Sequence, residues 1–254
     1  MSGNRSSGLL AAAGTRGAQR DRSFPSLLEV LGLLVVVNAL SLLVAMWLGP
    51  LVPVRVFVSY LTHVPQFVVP LVWYLVRLRP LLGGDEAGLF RWKRAGTTAF
   101  VVIGVILVSL NLLDEVVAGN GQTPEWARNG AVSVALTLVF QGLIVGFAEE
   151  MVVRVGVQMP LKRRWAGRGR FPWPILVAAL AFGLMHLPNY FLGQPLGATV
   201  IQSGTAAVLG LVIGFYFQRS ENYVGAALLH NLFNLAGAVG VLLVAHQLHG
   251  GNAP

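Results

Sequence analysis

The sequence predicts an all-α, polytopic integral membrane protein with about seven transmembrane helices. Of the 254 residues, 55% are hydrophobic and 11% are charged, whereas a soluble domain carries about 25% charged residues. The apolar residues lie in runs of about 18 or more, which is the length that crosses a bilayer as a helix. Several of these runs end at glycine or proline. The length fits one membrane domain.

The N-terminal part of the chain holds a polar tail and three predicted spans. Residues 1–24 are rich in Ser, Gly, Ala and Arg, a composition typical of a disordered basic tail. The apolar run that follows is too long for a signal-peptide core, so we expect it to remain as an anchor. Pro65 and Pro70 should kink the second span. Within this N-terminal region, 25–129, the predicted spans are 27–48, 54–76 and 97–113.

Four further spans form the predicted catalytic core, residues 130–249. The fourth span is long and is expected to end before Pro160, and the fifth should stop at Leu187-Pro188. Small residues are frequent within these runs, as expected where membrane helices pack closely. The predicted spans are 130–159, 172–186, 196–217 and 223–246.

The basic residues predict the orientation. With seven spans, fifteen of the 18 Lys and Arg fall on one side, only Arg55 and Arg128 fall on the other, and Arg154 lies within the fourth span. Basic loops are retained in the cytoplasm, so we expect a cytoplasmic N-terminus and an outer C-terminus in the cell (plasma) membrane. This bias also explains the net charge of +8 and the isoelectric point near 10.8. Lipid is therefore the expected partner, and nucleic acid is not.

Two carboxylates and a guanidinium lie deep in the fourth span. A charge at the bilayer centre costs about 2.5–3.5 kcal/mol on insertion scales, so such residues normally face a polar interior. Glu150 and Arg154 are four residues apart on one helical face and can neutralise each other. Glu149 lies about 100° further round the helix without a local partner. An ion pair that only holds helices together would explain Glu150 and Arg154 but would leave Glu149 unexplained.

Three more polar residues lie at a similar depth. His186 ends the fifth span, and His230 and Asn234 share a face of the seventh. At about 1.5 Å per residue, Glu149, His186 and His230 all lie about 12–20 Å from the cytoplasmic helix ends. We therefore expect these four side chains around one wet cavity, where they could activate water and stabilise an oxyanion.

The remaining polar residues are interpreted as structural. His63, in the second span, has no partner at a recognised spacing and is interpreted as a helix-packing residue. Asp114 and Glu115 are expected to be solvated at the outer end of the third span. His246 and His249 are expected to belong to a flexible terminus. The chain has no cysteine, which excludes disulfides, cysteine-ligated zinc and thiol catalysis.

The three motifs resemble those of the CAAX-protease-like (CPBP) family, which includes the type II CAAX prenyl endopeptidases and bacteriocin-processing or immunity relatives. The motifs are EExxxR from Glu149, FxxxH ending at His186, and HxxxN from His230, in the family's order. The resemblance implies peptide-bond hydrolysis of a membrane-associated peptide or protein. It implies that Glu149 and His186 activate water, that His230 and Asn234 stabilise the oxyanion, and that Glu150 and Arg154 brace the site.

Alternatives remain for the cofactor and for the function. Glu149, His186 and His230 could bind zinc with an open position, but there is no HExxH motif, and we favour a site without a cofactor. A non-enzymatic membrane protein, such as an immunity factor or scaffold, would typically have lost a catalytic residue, and none is missing. A proton-coupled transporter predicts repeat symmetry between the two halves, which is not evident. The sequence does not name the substrate.

Overall fold

The computed structural model describes residues 24–52, 55–82, 89, 90, 92, 94, 96–118, 124–166 and 171–249. Throughout these ranges the regular structure is helical. Seven of the helices are long and apolar enough to cross a membrane, which confirms the predicted all-α, seven-span fold. Except for Phe24, the predicted tail lies outside the described residues.

We number the seven long helices in chain order. A short helix, Glu125–Arg128, precedes the fourth, and 3-10 turns follow the first and the fifth at Gly49–Leu51 and Leu187–Leu192. The seven are α1 (Leu27–Leu48), α2 (55–82), α3 (Thr97–Ala118), α4 (Ala131–Arg164), α5 (Trp173–Leu184), α6 (Leu196–Ser220) and α7 (Tyr223–His249).

Local side-chain chemistry defines two of the helix boundaries. Before α1, Ser26 Oγ accepts a hydrogen bond from the Glu29 amide (3.2 Å), and the Glu29 carboxylate accepts one from the Ser26 amide (2.6 Å), which is a capping box. α6 ends at Glu221, whose φ of 48° is left-handed and cannot continue a right-handed helix. The Asn222 side chain then accepts a hydrogen bond from the Gly225 amide and starts α7.

Five of the helices run past their predicted ends, and α3 and α4 are the informative cases. α3 continues through Asp114 and Glu115, since carboxylates at a membrane boundary do not prevent helix formation. α4 continues through Pro160, which lies directly after a π-helical segment, Met151–Gln158. At the start of a new α-helical segment the missing proline N–H costs little. α2 likewise continues through both of its prolines and contains a π-helical turn at Tyr74–Leu78.

α4 is the central helix of the bundle. Its middle residues, including Met151, Val153 and Val157, have no exposed surface, and α1, α2, α5, α6 and α7 all pack against this segment. Large apolar side chains on the outer helices remain exposed, for example Leu28 and Val117, as expected for helices that face lipid. Because α4 carries the carboxylates, its central position brings residues of the neighbouring helices toward them.

Candidate active site

The residues singled out in the sequence meet at one cavity of about 680 Å³. Glu149 comes from α4 and His230 and Asn234 come from α7, while His186 lies between α5 and the 3-10 turn that follows it. All four line this cavity. A fifth residue, His63 of α2, lines it as well. The structure thus brings together the four predicted side chains and adds one that the sequence analysis interpreted as structural.

Imidazole rings hold Glu149 on both sides. Its Oε1 lies 3.3 Å from His63 Nε2, and its Oε2 lies 3.4 Å from His230 Nε2. The side chain is only 10% exposed. A carboxylate oxygen can only accept a hydrogen bond, so each contact requires a proton on the ring or on the carboxyl group. The cluster is therefore a place where one proton can be shared between a carboxylate and two imidazoles.

Glu150 and Arg154 form the ion pair that their spacing predicts. Arg154 Nε donates to Glu150 Oε2 at 2.5 Å, and both side chains are completely buried. The guanidinium also donates to Gln158 Oε1 (2.7 Å) and to the Gly210 carbonyl (3.1 Å). Gln158 in turn donates to the Gly214 carbonyl (2.8 Å). The charges are thus paired inside a hydrogen-bonded network that joins α4 to α6.

A glycine allows this network to reach the α6 backbone. A Cβ at position 214 would lie 2.9 Å from Arg154 Nη1 and 2.8 Å from an Ile175 methyl group, both closer than ordinary contact. Small residues let membrane helices approach until backbone carbonyls can accept hydrogen bonds from the neighbouring helix. Gly214 therefore makes room for the buried guanidinium.

Removing the guanidinium should destabilise the protein strongly. Arg154→Ala leaves Glu150 as an unpaired buried charge, which typically costs about 3–5 kcal/mol. Lys162→Ala is the matched control, because Lys162 pairs with Glu221 at 2.6 Å but both side chains are more than one-fifth exposed, and such pairs contribute about 0–1 kcal/mol. Unfolding in detergent should separate the two variants clearly. Equal losses of stability would mean that the buried pair has no special role.

His230 connects the two carboxylates. Its Nδ1 lies 3.1 Å from Glu150 Oε1, while its Nε2 faces Glu149. The ring is 2% exposed and packs edge-on against Phe182, with centroids 5.3 Å apart. Because Arg154 keeps Glu150 ionised, His230 Nδ1 is the donor in that contact. In its doubly protonated form, His230 therefore also carries an N–H at Nε2, on the side of Glu149.

His186 and Asn234 complete the lining with unused hydrogen-bonding groups. His186 Nδ1 is 2.9 Å from the Phe182 carbonyl, which only accepts, so that nitrogen carries the proton and Nε2 is free to accept one. Asn234 makes no hydrogen bond within the described part of the chain and lines the cavity. A proton acceptor and an amide donor are thus both available to a bound molecule.

Two polar contacts near the site were not predicted. The Gly146 amide, just after a π-helical turn at Phe140–Ile144, donates to Asn231 Oδ1 at 2.6 Å. His63 contacts Glu149, so its interpretation as a helix-packing residue was incomplete. Glu115, expected to be solvated, is half-buried and lines the outer part of the cavity. Spacing along one helix contains no signal for contacts of this kind between distant segments.

The cavity extends from Glu149 toward one end of the bundle only. Its outer lining includes Glu115, the segment with Pro124 and Trp126, and Asn189 after α5. These residues lie at the bundle end opposite the basic segments. At the basic end, Lys162 and Arg163 pair with Glu221, and Gln158 and Arg154 fill the interior. The cavity therefore opens away from the basic residues.

The three candidate zinc ligands, Glu149, His186 and His230, all line the cavity. His230 directs both nitrogens at carboxylate oxygens, and His186 has only Nε2 free. Among the described residues, no group of three or more His, Asp and Glu side chains is arranged to hold a metal ion.

Comparison with known proteins identifies one family. Residues 131–236 match the model of the Rce1-like family, described as type II CAAX prenyl endopeptidase Rce1-like. No curated protein and no solved structure matches the chain. The matched segment contains the EExxxR, FxxxH and HxxxN motifs, and it begins after α1, α2 and α3.

Proposed function

Through residues 131–236 the chain belongs to the CPBP family, which includes the type II CAAX prenyl endopeptidases, and on that premise we propose that it cleaves peptide bonds of membrane-associated substrates. The observation that carries the proposal is the position of Glu149. It lies between the imidazoles of His63 and His230, at a cavity that His186 and Asn234 also line. A Glu149→Gln variant that cleaves membrane substrates as fast as the wild type would contradict it.

In the proposed reaction, Glu149 and His186 activate water. The water oxygen attacks the carbonyl carbon of the scissile peptide bond as its proton passes to the Glu149 carboxylate, with His186 Nε2 accepting a hydrogen bond from the same water. The C–N bond then breaks, and the proton is transferred to the departing amine nitrogen. Positioned acid–base groups of this kind typically contribute about 100- to 10,000-fold to a rate.

Asn234 and His230 are proposed to stabilise the tetrahedral oxyanion. The Asn234 amide has no competing partner among the described residues. An N–H at His230 Nε2 faces Glu149 Oε2, and it can turn to the oxyanion once Glu149 has taken the proton from water. Glu150, held by Arg154, accepts a hydrogen bond from His230 Nδ1 and fixes the orientation of the ring. Donors fixed before the reaction need no rearrangement when negative charge develops, which makes them effective.

We propose that substrates reach the site from the outer face of the cell membrane. The cavity opens at the bundle end opposite the basic segments, and the positive-inside rule assigns the basic end to the cytoplasm. A peptide on the outer side, or a segment that spans the membrane, could then enter without crossing the buried Arg154 network.

The orientation can be tested with single cysteines because the chain has none. Arg128→Cys and Arg219→Cys form a matched pair, since both arginines are exposed and lie at opposite ends of the bundle. In intact cells, a membrane-impermeant thiol reagent should label position 128 and reach position 219 only after permeabilisation. The reverse pattern would contradict both the predicted orientation and the outer opening of the cavity.

A further inference from the structure

We propose that His63 is a positioning residue for the reaction, so that α2 forms part of the active site. The contact between His63 and Glu149 is given by the geometry. Its effect on a reaction rate rests on the proposed function. His63 lies outside the matched family segment, 131–236, and is separated from Glu149 by 86 positions in the chain. Among the described residues, it is nevertheless one of the two side chains in polar contact with the proposed base.

Two contacts fix the His63 ring. Its Nδ1 lies 2.7 Å from the Ser59 carbonyl one turn earlier on α2, and because a carbonyl only accepts, Nδ1 carries the proton. The ring stands perpendicular to Phe140 of α4, with centroids 4.9 Å apart. Nε2 is the ring nitrogen left to face α4, and it lies 3.3 Å from Glu149 Oε1, where a proton between the two atoms makes the hydrogen bond.

This contact restricts the Glu149 carboxyl group. With His63 on Oε1 and His230 on Oε2, rotation of the carboxyl group would break at least one contact. The carboxylate plane is therefore held in one orientation while its remaining lone pairs face the cavity. Reaction rates are sensitive to small displacements of reacting groups. Loss of the His63 contact should therefore slow the chemical step more than it weakens substrate binding.

A three-variant comparison separates positioning from packing. His63→Phe keeps an aromatic ring against Phe140 but removes the polar contact, whereas His63→Gln places an amide near the position of Nε2. Tyr60→Phe is the control, because it removes a different hydrogen bond between the same two helices, from Tyr60 Oη to the Leu136 carbonyl (2.8 Å). The measured quantities are kcat and KM for a membrane-reconstituted substrate, together with thermal unfolding.

We expect His63→Phe to lower kcat by about 10- to 100-fold with KM unchanged, because a misplacement of about 1 Å in a reacting group can cost about 100-fold in rate. His63→Gln should recover most of that loss, and Tyr60→Phe should keep wild-type kcat. The proposal is overturned if His63→Phe retains full activity, if His63→Gln is no better than His63→Phe, or if Tyr60→Phe loses activity equally.

An infrared measurement keeps this test independent of proteolysis. The carboxyl stretching band of Glu149 is the one that disappears in Glu149→Gln. It should shift in His63→Phe and stay in place in Tyr60→Phe. If the wild-type protein hydrolysed nothing, the proposed function would fail, while this band would still report whether His63 holds Glu149. An unshifted band in His63→Phe would overturn the positioning role.

Discussion

Glu149→Gln is expected to reduce peptide hydrolysis by about 100- to 10,000-fold, the usual contribution of a positioned general base. Glutamine has nearly the same shape as glutamate and is neutral, so it fills the same space between His63 and His230. It cannot take a proton from water. Expression and thermal unfolding should therefore remain close to those of the wild type while turnover is lost.

The matched control for this substitution is Glu221→Gln. Glu221 is a carboxylate that pairs with Lys162 and Arg163 at the basic end, far from the cavity lining. It should retain wild-type turnover. Full activity of Glu149→Gln, measured with purified protein in a bilayer, would show that Glu149 is not the base.

Asn234→Asp should reduce turnover by at least about 100- to 1,000-fold, the range seen when one oxyanion donor is removed. The substitution also places negative charge where the oxyanion forms, so it should be more harmful than Asn234→Ala. Because the reaction is proposed to need no metal, wild-type activity should survive prolonged treatment with a chelator. The measurements are turnover and the zinc content of the purified protein.

A zinc enzyme would behave in the opposite way. It would lose activity with a chelator, recover on addition of metal and contain about one zinc per chain. An aspartate at position 234 could then act as an additional ligand and be tolerated. Stoichiometric zinc together with an active Asn234→Asp variant would contradict the metal-free mechanism.

The sequence predicted those parts of the site that depend on one helix. The i, i+4 pair of Glu150 and Arg154 follows from helical geometry, and the shared depth of Glu149, His186 and His230 follows from the rise per residue. These predictions tolerated errors in the helix ends because Glu149, Arg154 and His230 lie well inside their helices. The roles of the residues in catalysis came from family resemblance and remain predictions.

Contacts between distant segments could not be predicted. His63 carries no motif, and its proximity to Glu149 depends on how α2 packs against α4. The π-helical segments of α4 were not predicted either. Pro160 was wrongly expected to end the helix, because a proline is tolerated at the start of the α-helical segment that follows Met151–Gln158. The pairing of Asn231 with the Gly146 amide likewise depends on the close approach of α7 to α4.

The most direct test of the proposed function compares protein termini in membranes from cells that express either the wild type or Glu149→Gln at equal levels. Mass spectrometry of newly formed termini should find a set that is present with the wild type and absent with Glu149→Gln. Those termini should map to membrane-embedded segments or to residues next to the outer face. Identical sets of termini in the two strains would contradict the assignment of the chain as an intramembrane endopeptidase.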